Sequence, residues 1–186
     1  LKNKAFLKAA RQKQFGLTWA DDLSPHQKVE WFKSGGAVPE QFSENVSGLD
    51  AGDFAKIERA GEMELRVAAA ELRPQIKDHF ASLEATGVGL PGMDGKVEGV
   101  LSGEDLANYR EGVQDAMGSF EAFEAIKMST PAEIVAILQS NKAVPGVEGF
   151  ANDQRRSANL QRAAQKVMTA REQDPAGYVS SFDEVK

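Results

Sequence analysis

The sequence predicts an all-α protein, an irregular bundle of about six or seven helices with negligible β-structure. Three observations predict it: recurring helix-start signals, apolar stripes that step by three and four, and Gly/Pro punctuation that leaves no run long enough for a strand of ordinary length. The 186 residues are 41 % hydrophobic and 27 % charged, a balance that excludes collagen, wholesale disorder and a membrane-span architecture. A chain of this length buries about 70 % of its unfolded surface, enough for a core without covalent staples.

Taken in order, the chain opens with a basic, aromatic-rich helical segment, residues 1–47, followed by a main helical domain, residues 48–186; one continuous domain is the alternative. Seven of the fourteen aromatics fall in the first 54 residues (Phe6, Phe15, Trp19, Trp31, Phe32, Phe42 and Phe54), so this part must pack on the rest or form its own cluster. Ser24-Pro25-His26-Gln27 combines a hydroxyl cap, proline at the first helical position and a glutamine that reaches back to the cap. Thr130-Pro131-Ala132-Glu133 repeats the pattern with glutamate. Thr18-Trp19-Ala20-Asp21, Asp50-Ala51-Gly52-Asp53 and Ser102-Gly103-Glu104-Asp105 are shorter-armed versions, and Asp174-Pro175 opens a last short turn.

Phe54, Ile57, Gly61, Leu65, Ala68, Leu72, Ile76, His79 and Leu83 form one stripe of a helix from about 51 to 85. Pro74 removes a backbone donor and crowds the preceding turn, which predicts a kink or a break at Leu72 to Pro74. The glycine-rich stretch Gly87 to Lys96 reads as a loop, and Val97 to Leu101 as a strand fragment at most; Gly35-Gly36 and Pro39 punctuate earlier. Leu106, Tyr109, Val113, Ala116, Phe120 and Phe123 step 3-4-3-4-3, a seam for a neighbouring helix that would also hold a partner's helix if left exposed. Helices at 131–140 and 152–173 close the chain, the second presenting Leu160, Ala164, Val167 and Met168.

Charge is unevenly laid. Residues 1 to 33 carry seven Lys/Arg against three acids, residues 34 to 130 eight against eighteen, and residues 131 to 186 seven against seven. The acidic middle repels nucleic acid, so Lys2, Lys4, Lys8, Arg11 and Lys13 read first as a solvated helix offsetting that middle, and only second as an arm toward phosphate or an anionic membrane.

The absence of cysteine excludes disulfides, thiol nucleophiles, thiolate zinc sites and iron–sulfur clusters. No apolar run approaches the roughly 20 residues that span a bilayer. His26 and Glu30 share a helix face, but two ligands make no metal site; His79 lies on the apolar stripe beside Phe80 and reads as a hydrogen-bonded core histidine. The Gly87–Lys96 stretch lacks a phosphate-binding pattern and a calcium-loop pattern. Glu58, Glu62, Glu64, Glu111, Asp115, Glu121 and Glu124 could supply a glycosidase pair, yet they sit on polar helix faces and nothing sets one pair apart. No catalytic, cofactor or metal-binding residue is assigned.

Ser129 to Leu138, then Asn159 to Met168, closed by Ala170 to Val179, resemble helical segments of large phage or prophage virion proteins. Those are long tail or internal proteins that often carry a cell-wall-cleaving transglycosylase domain elsewhere. The likeness covers about a quarter of the chain and supplies no functional residue. A catalytic Glu-Ser pair and a Gly-Leu-Met-Gln type of motif are missing, and Ser43-Glu44 has the order reversed. The resemblance implies a non-catalytic structural module, bound to the rest of a longer parent chain or to neighbouring virion proteins; the missing apolar run predicts a soluble chain, and its location is left open between a virion and the bacterial cytoplasm. The start at Leu1, without an initiator Met, fits a fragment or a processed product. The alternatives are a small helical glycan hydrolase and an adaptor that holds a partner helix, with self-association as a further mode of contact.

Overall fold

A computed structural model describes residues 2–33 and 37–183, the side chains of Lys2 and Asp183 excepted; Leu1 and the predicted Gly35-Gly36 punctuation lie outside the described residues. The described chain is all-α, with no strand. Among the described residues nine α-helices run α1 (Lys2–Asp21), α2 (Pro25–Phe32), α3 (Ser43–Val46), α4 (Ala51–Thr86), α5 (Met93–Glu98), α6 (Gly103–Ile126), α7 (Pro131–Ser140), α8 (Phe150–Gln173) and α9 (Pro175–Asp183), with a 3-10 turn at Glu40–Phe42. Contacts divide them into two compact units: residues up to Arg73 together with Lys96–Leu101, and Pro74–Gly95 together with Ser102 onward.

The first unit is built on the aromatics of the opening segment. Ala20, Phe32 and Ile57 are buried, and Leu17, Trp19, Trp31, Leu49 and Phe54 pack against them. Trp19, Trp31 and Phe42 form a triangle, Trp19 lying 6.2 Å from Trp31 and 5.5 Å from Phe42. The aromatic-rich segment thus shares one cluster with the start of α4. Gly16 lets α1 cross this layer closely, because a Cβ there would sit 2.7 Å from the carbonyl oxygen of Asn45. Lys28, buried on α2, binds both oxygens of Glu64 on α4 at 2.9 and 3.2 Å.

The second unit packs α6, α7, α8 and α9 around Ala122, Ile126, Ile134, Leu160, Ala163, Ala164 and Val167. The alanines of α8 permit the close approach of α6, and Gly118 of α6 makes room for the buried amide of Asn159. Past the end of α6, where the Ser129 amide still reaches the Ile126 carbonyl at 3.0 Å, the carbonyls of Lys127 and Ser129 find their partners on later helices. The guanidinium of Arg171 donates to the Ser129 and Lys127 carbonyls at 2.7 Å each, and the Tyr178 hydroxyl donates to Lys127 at 2.8 Å. Cations and donors at a helix C-terminus also meet the negative end of its dipole.

Several expectations change on contact with the structure. Of the kink or break expected at Leu72 to Pro74, the break does not occur: α4 is one helix through Pro74, with Leu72, His79 and Leu83 buried on either side of it. The boundary between the two units falls at that proline. The stretch predicted as a loop from Gly87 to Lys96 contains the start of α5, and Val97 to Leu101 is the end of that helix and a turn, not a strand fragment. Burial of Met93 and Val97 supplies what local propensity does not. Thr18 starts no helix; it lies inside α1. The Ser24 and Thr130 capping boxes form with both reciprocal hydrogen bonds.

Candidate interaction surface

Helix α1 is anchored at its middle and end. Lys13 places its ammonium 3.1 Å from Asp50 and 2.6 Å from Asp53. These two carboxylates already form the reciprocal cap of α4: the Asp53 amide donates to Asp50 and the Asp50 amide donates to Asp53. Hydrogen bonding to Asp53 first, and to Asp50 second, raises the Lys13 pKa above its ordinary value. The Lys13 ammonium, then the Asp53 amide, holds the Asp50 carboxyl below the usual carboxylate range. Beyond this anchor, Gly16 and Ala20 are buried against the unit.

Toward the N-terminus the same helix is exposed at every residue from Asn3 to Gln12. Between Asn3 and Ala20 there is no acid, while Lys4, Lys8 and Arg11 form no ion pair among the described residues. Lys4, Leu7, Lys8, Arg11 and Phe15 share one face by their helical spacing and, with Glu44 and Ser47, border a shallow open concavity of about 420 Å³. Phe6, Leu7 and Phe15 expose 73 %, 56 % and 60 % of their surface. Each large apolar side chain left in water forgoes about 1.5–3 kcal/mol of burial, and a helical end this short is marginal alone. The side chain of Lys2, the fifth expected cation, lies outside the described residues. The cations of this surface were legible in the sequence. Glu44, Ser47 and the exposed apolar residues were not, though apolar side chains standing among like charges are the signal that would have found them.

The predicted seam is occupied from within the second unit. Tyr109 is buried, stacked on Phe80 at 5.7 Å and on His79 at 5.9 Å, with its hydroxyl 2.7 Å from Asp94. Leu106, Val113, Phe120 and Phe123 are half-buried. Phe120 lies over Gly87, and Phe123 packs on the buried cluster beneath Lys166 and beside Phe182. His79 is a hydrogen-bonded core histidine: its Nδ1 accepts the Leu90 amide at 2.9 Å.

The carboxylates are dispersed. Glu111 and Asp115 flank one cation, Arg155, and are 54 % and 44 % exposed. Glu124 binds Lys127 at 2.7 Å, and Glu64 binds Lys28. Glu121, with Arg155, Arg156 and Asn159, lines an open groove of about 440 Å³ between α6 and α8. Retaining glycosidases set two carboxyl groups across one substrate bond, whereas Glu111 and Asp115 converge on Arg155, Glu124 on Lys127 and Glu64 on Lys28. His26 is half-buried with its Nε2 unpartnered, and Glu30 is exposed. Among the described residues no group of three or more His, Asp or Glu side chains could hold a metal ion, and no helix is long and apolar enough to cross a membrane.

Comparison with protein-family models, with curated proteins and with solved structures finds no match.

Proposed function

We propose that this chain is a non-catalytic helical interaction module of a larger phage-derived protein, and that the outer half of α1 is its contact with the parent chain or a neighbouring virion protein. The single observation that carries this reading is the exposure of Asn3 to Gln12 and of Phe15, a stretch of helix whose Lys4, Lys8 and Arg11 form no ion pair among the described residues and whose Leu7 and Phe15 stand exposed on the same face. The cations select an acidic protein surface; Leu7 and Phe15 give it apolar area to bury. In the second unit the end of α6 is closed by Arg171 and Tyr178.

The test is incorporation. A Leu7→Asp, Phe15→Asp variant melts like the parent protein and is lost from particles assembled by the source that encodes it. Incorporation at the parental level would overturn the reading. Release of peptidoglycan fragments that disappears on Glu111→Gln would replace it with a hydrolase.

A further inference from the structure

Helix α4 has a second face. Its inward stripe is buried or half-buried, but within the first unit the opposite side carries Ala60, Met63, Val67 and Ala70, spaced by three, four and three. All four are exposed, Met63 by 58 % and Val67 by 50 %. Single exposed apolar residues need no explanation. The charges beside these do: Arg59, Arg66 and Arg73 recur every seven residues along one flank, and Glu64 and Glu71 every seven along the other. In a heptad frame Ala60 and Val67 stand at a, Met63 and Ala70 at d, the arginines at g and the glutamates at e.

We propose that this face of α4 pairs with the same face of a second copy of the chain as a short, parallel two-helix coiled coil. In parallel pairing each g residue meets the e residue of the following heptad on the other helix. Arg59 then faces Glu64 of the second copy, Arg66 faces Glu71 of the second copy, and the twofold axis repeats both contacts. Antiparallel pairing would set arginine against arginine and glutamate against glutamate, so the pattern complements itself in one orientation only. Glu64 keeps 45 % of its side chain exposed while bound to Lys28, which leaves it open to a second cation. The seam is two heptads long and half alanine, so the helices approach closely but bury little apolar area, and association is weak and concentration-dependent. The pairing uses no residue of α1, and its success or failure is separate from that of the reading above.

The absence of cysteine makes the experiment clean. In a parallel pair, residues at one a position lie side by side within disulfide reach. Val67→Cys therefore gives a covalent dimer on mild oxidation, while Glu62→Cys, outside the seam, does not. Sedimentation of the parent protein up to about 1 mM shows the mass rising from 20.1 kDa toward twice that value. Met63→Glu abolishes the rise without changing helicity. Arg66→Glu and Glu71→Arg each weaken the dimer about tenfold by turning two attractive contacts repulsive, and mixing the two variants restores it, because each repelling pair then becomes an attracting one. A strict monomer over the whole range, Val67→Cys chains that never cross-link, or a mixture no tighter than its components would each overturn the proposal. Leu7→Asp leaves the dimer intact.

Discussion

Helices α1 and α8 are both long, polar and rich in cations, and they use those cations in opposite ways. On α8, Arg155 reaches Glu111 and Asp115, Arg162 holds the buried Asn159, Lys166 lies over the Phe123 ring and Arg171 closes the end of α6. On α1 only Lys13 is engaged; Lys4, Lys8 and Arg11 are unpaired among the described residues. The difference is one of cover. A helix laid against neighbours turns its charges into ties between elements, whereas the exposed half of α1 leaves its cations in water.

The largest effect that sharpens this contrast lies under α8. Leu160→Ala removes a buried side chain from the second core and is expected to cost about 2–5 kcal/mol, read as a lowered midpoint in urea unfolding. Arg171→Met, which strips two hydrogen bonds from carbonyls at the end of α6, is expected to cost about 1.5–3 kcal/mol by the same measurement.

Next comes pH. Asp50 is held low by Lys13 and the Asp53 amide, and Glu133 by the Thr130 amide, then its hydroxyl. Their contributions are present above their unfolded values of 3.8 and 4.5 and are lost as pH falls through the lower folded values. Lys13, raised by its two carboxylates, and Tyr178, raised by burial, contribute below 10.5 and 10.0 and lose their contributions as pH climbs through the higher folded values. Melting temperature should therefore fall at both extremes, and Asp50→Asn should flatten the acid limb. Equal acid sensitivity in that variant would remove the carboxylate cap from the account.

The smallest effect belongs to α1. Lys8→Ala and Arg11→Ala should each change stability by less than about 0.5 kcal/mol. Amide hydrogens from Asn3 to Gln12 should exchange far faster than those around Leu160. Strong protection of that helical end in the isolated chain would erase the contrast between the two helices.

What the sequence made legible follows the range of the forces involved. The capping boxes at Ser24 and Thr130 were readable because a cap is settled within four residues. The start of α5 was not, since Met93 and Val97 form a helix in glycine-rich surroundings only by being buried. Tyr109 and Phe120 announced a helix contact by spacing, yet spacing cannot say whose helix makes it; here rings from Phe80 and His79 and the backbone at Gly87 fill the place. The cations of α1 were visible, but their freedom depends on where neighbouring helices stop. On α4 the dominant apolar stripe masked the seven-residue recurrence of Arg59, Arg66 and Arg73, a pattern present in the sequence throughout.

Lys13 bears on how load would travel through the first unit. Helix α1 is exposed from Asn3 to Gln12, tied at Lys13 to the carboxylates that start α4 and packed into the first core from Gly16 to Ala20. With about 1.5 Å of rise per residue, Leu7 stands roughly 9 Å out from Lys13. The ammonium bridges both carboxylates of the opening turn of α4, so neutralising one leaves the other tie in place, and Ala20 still shares the buried cluster with Ile57.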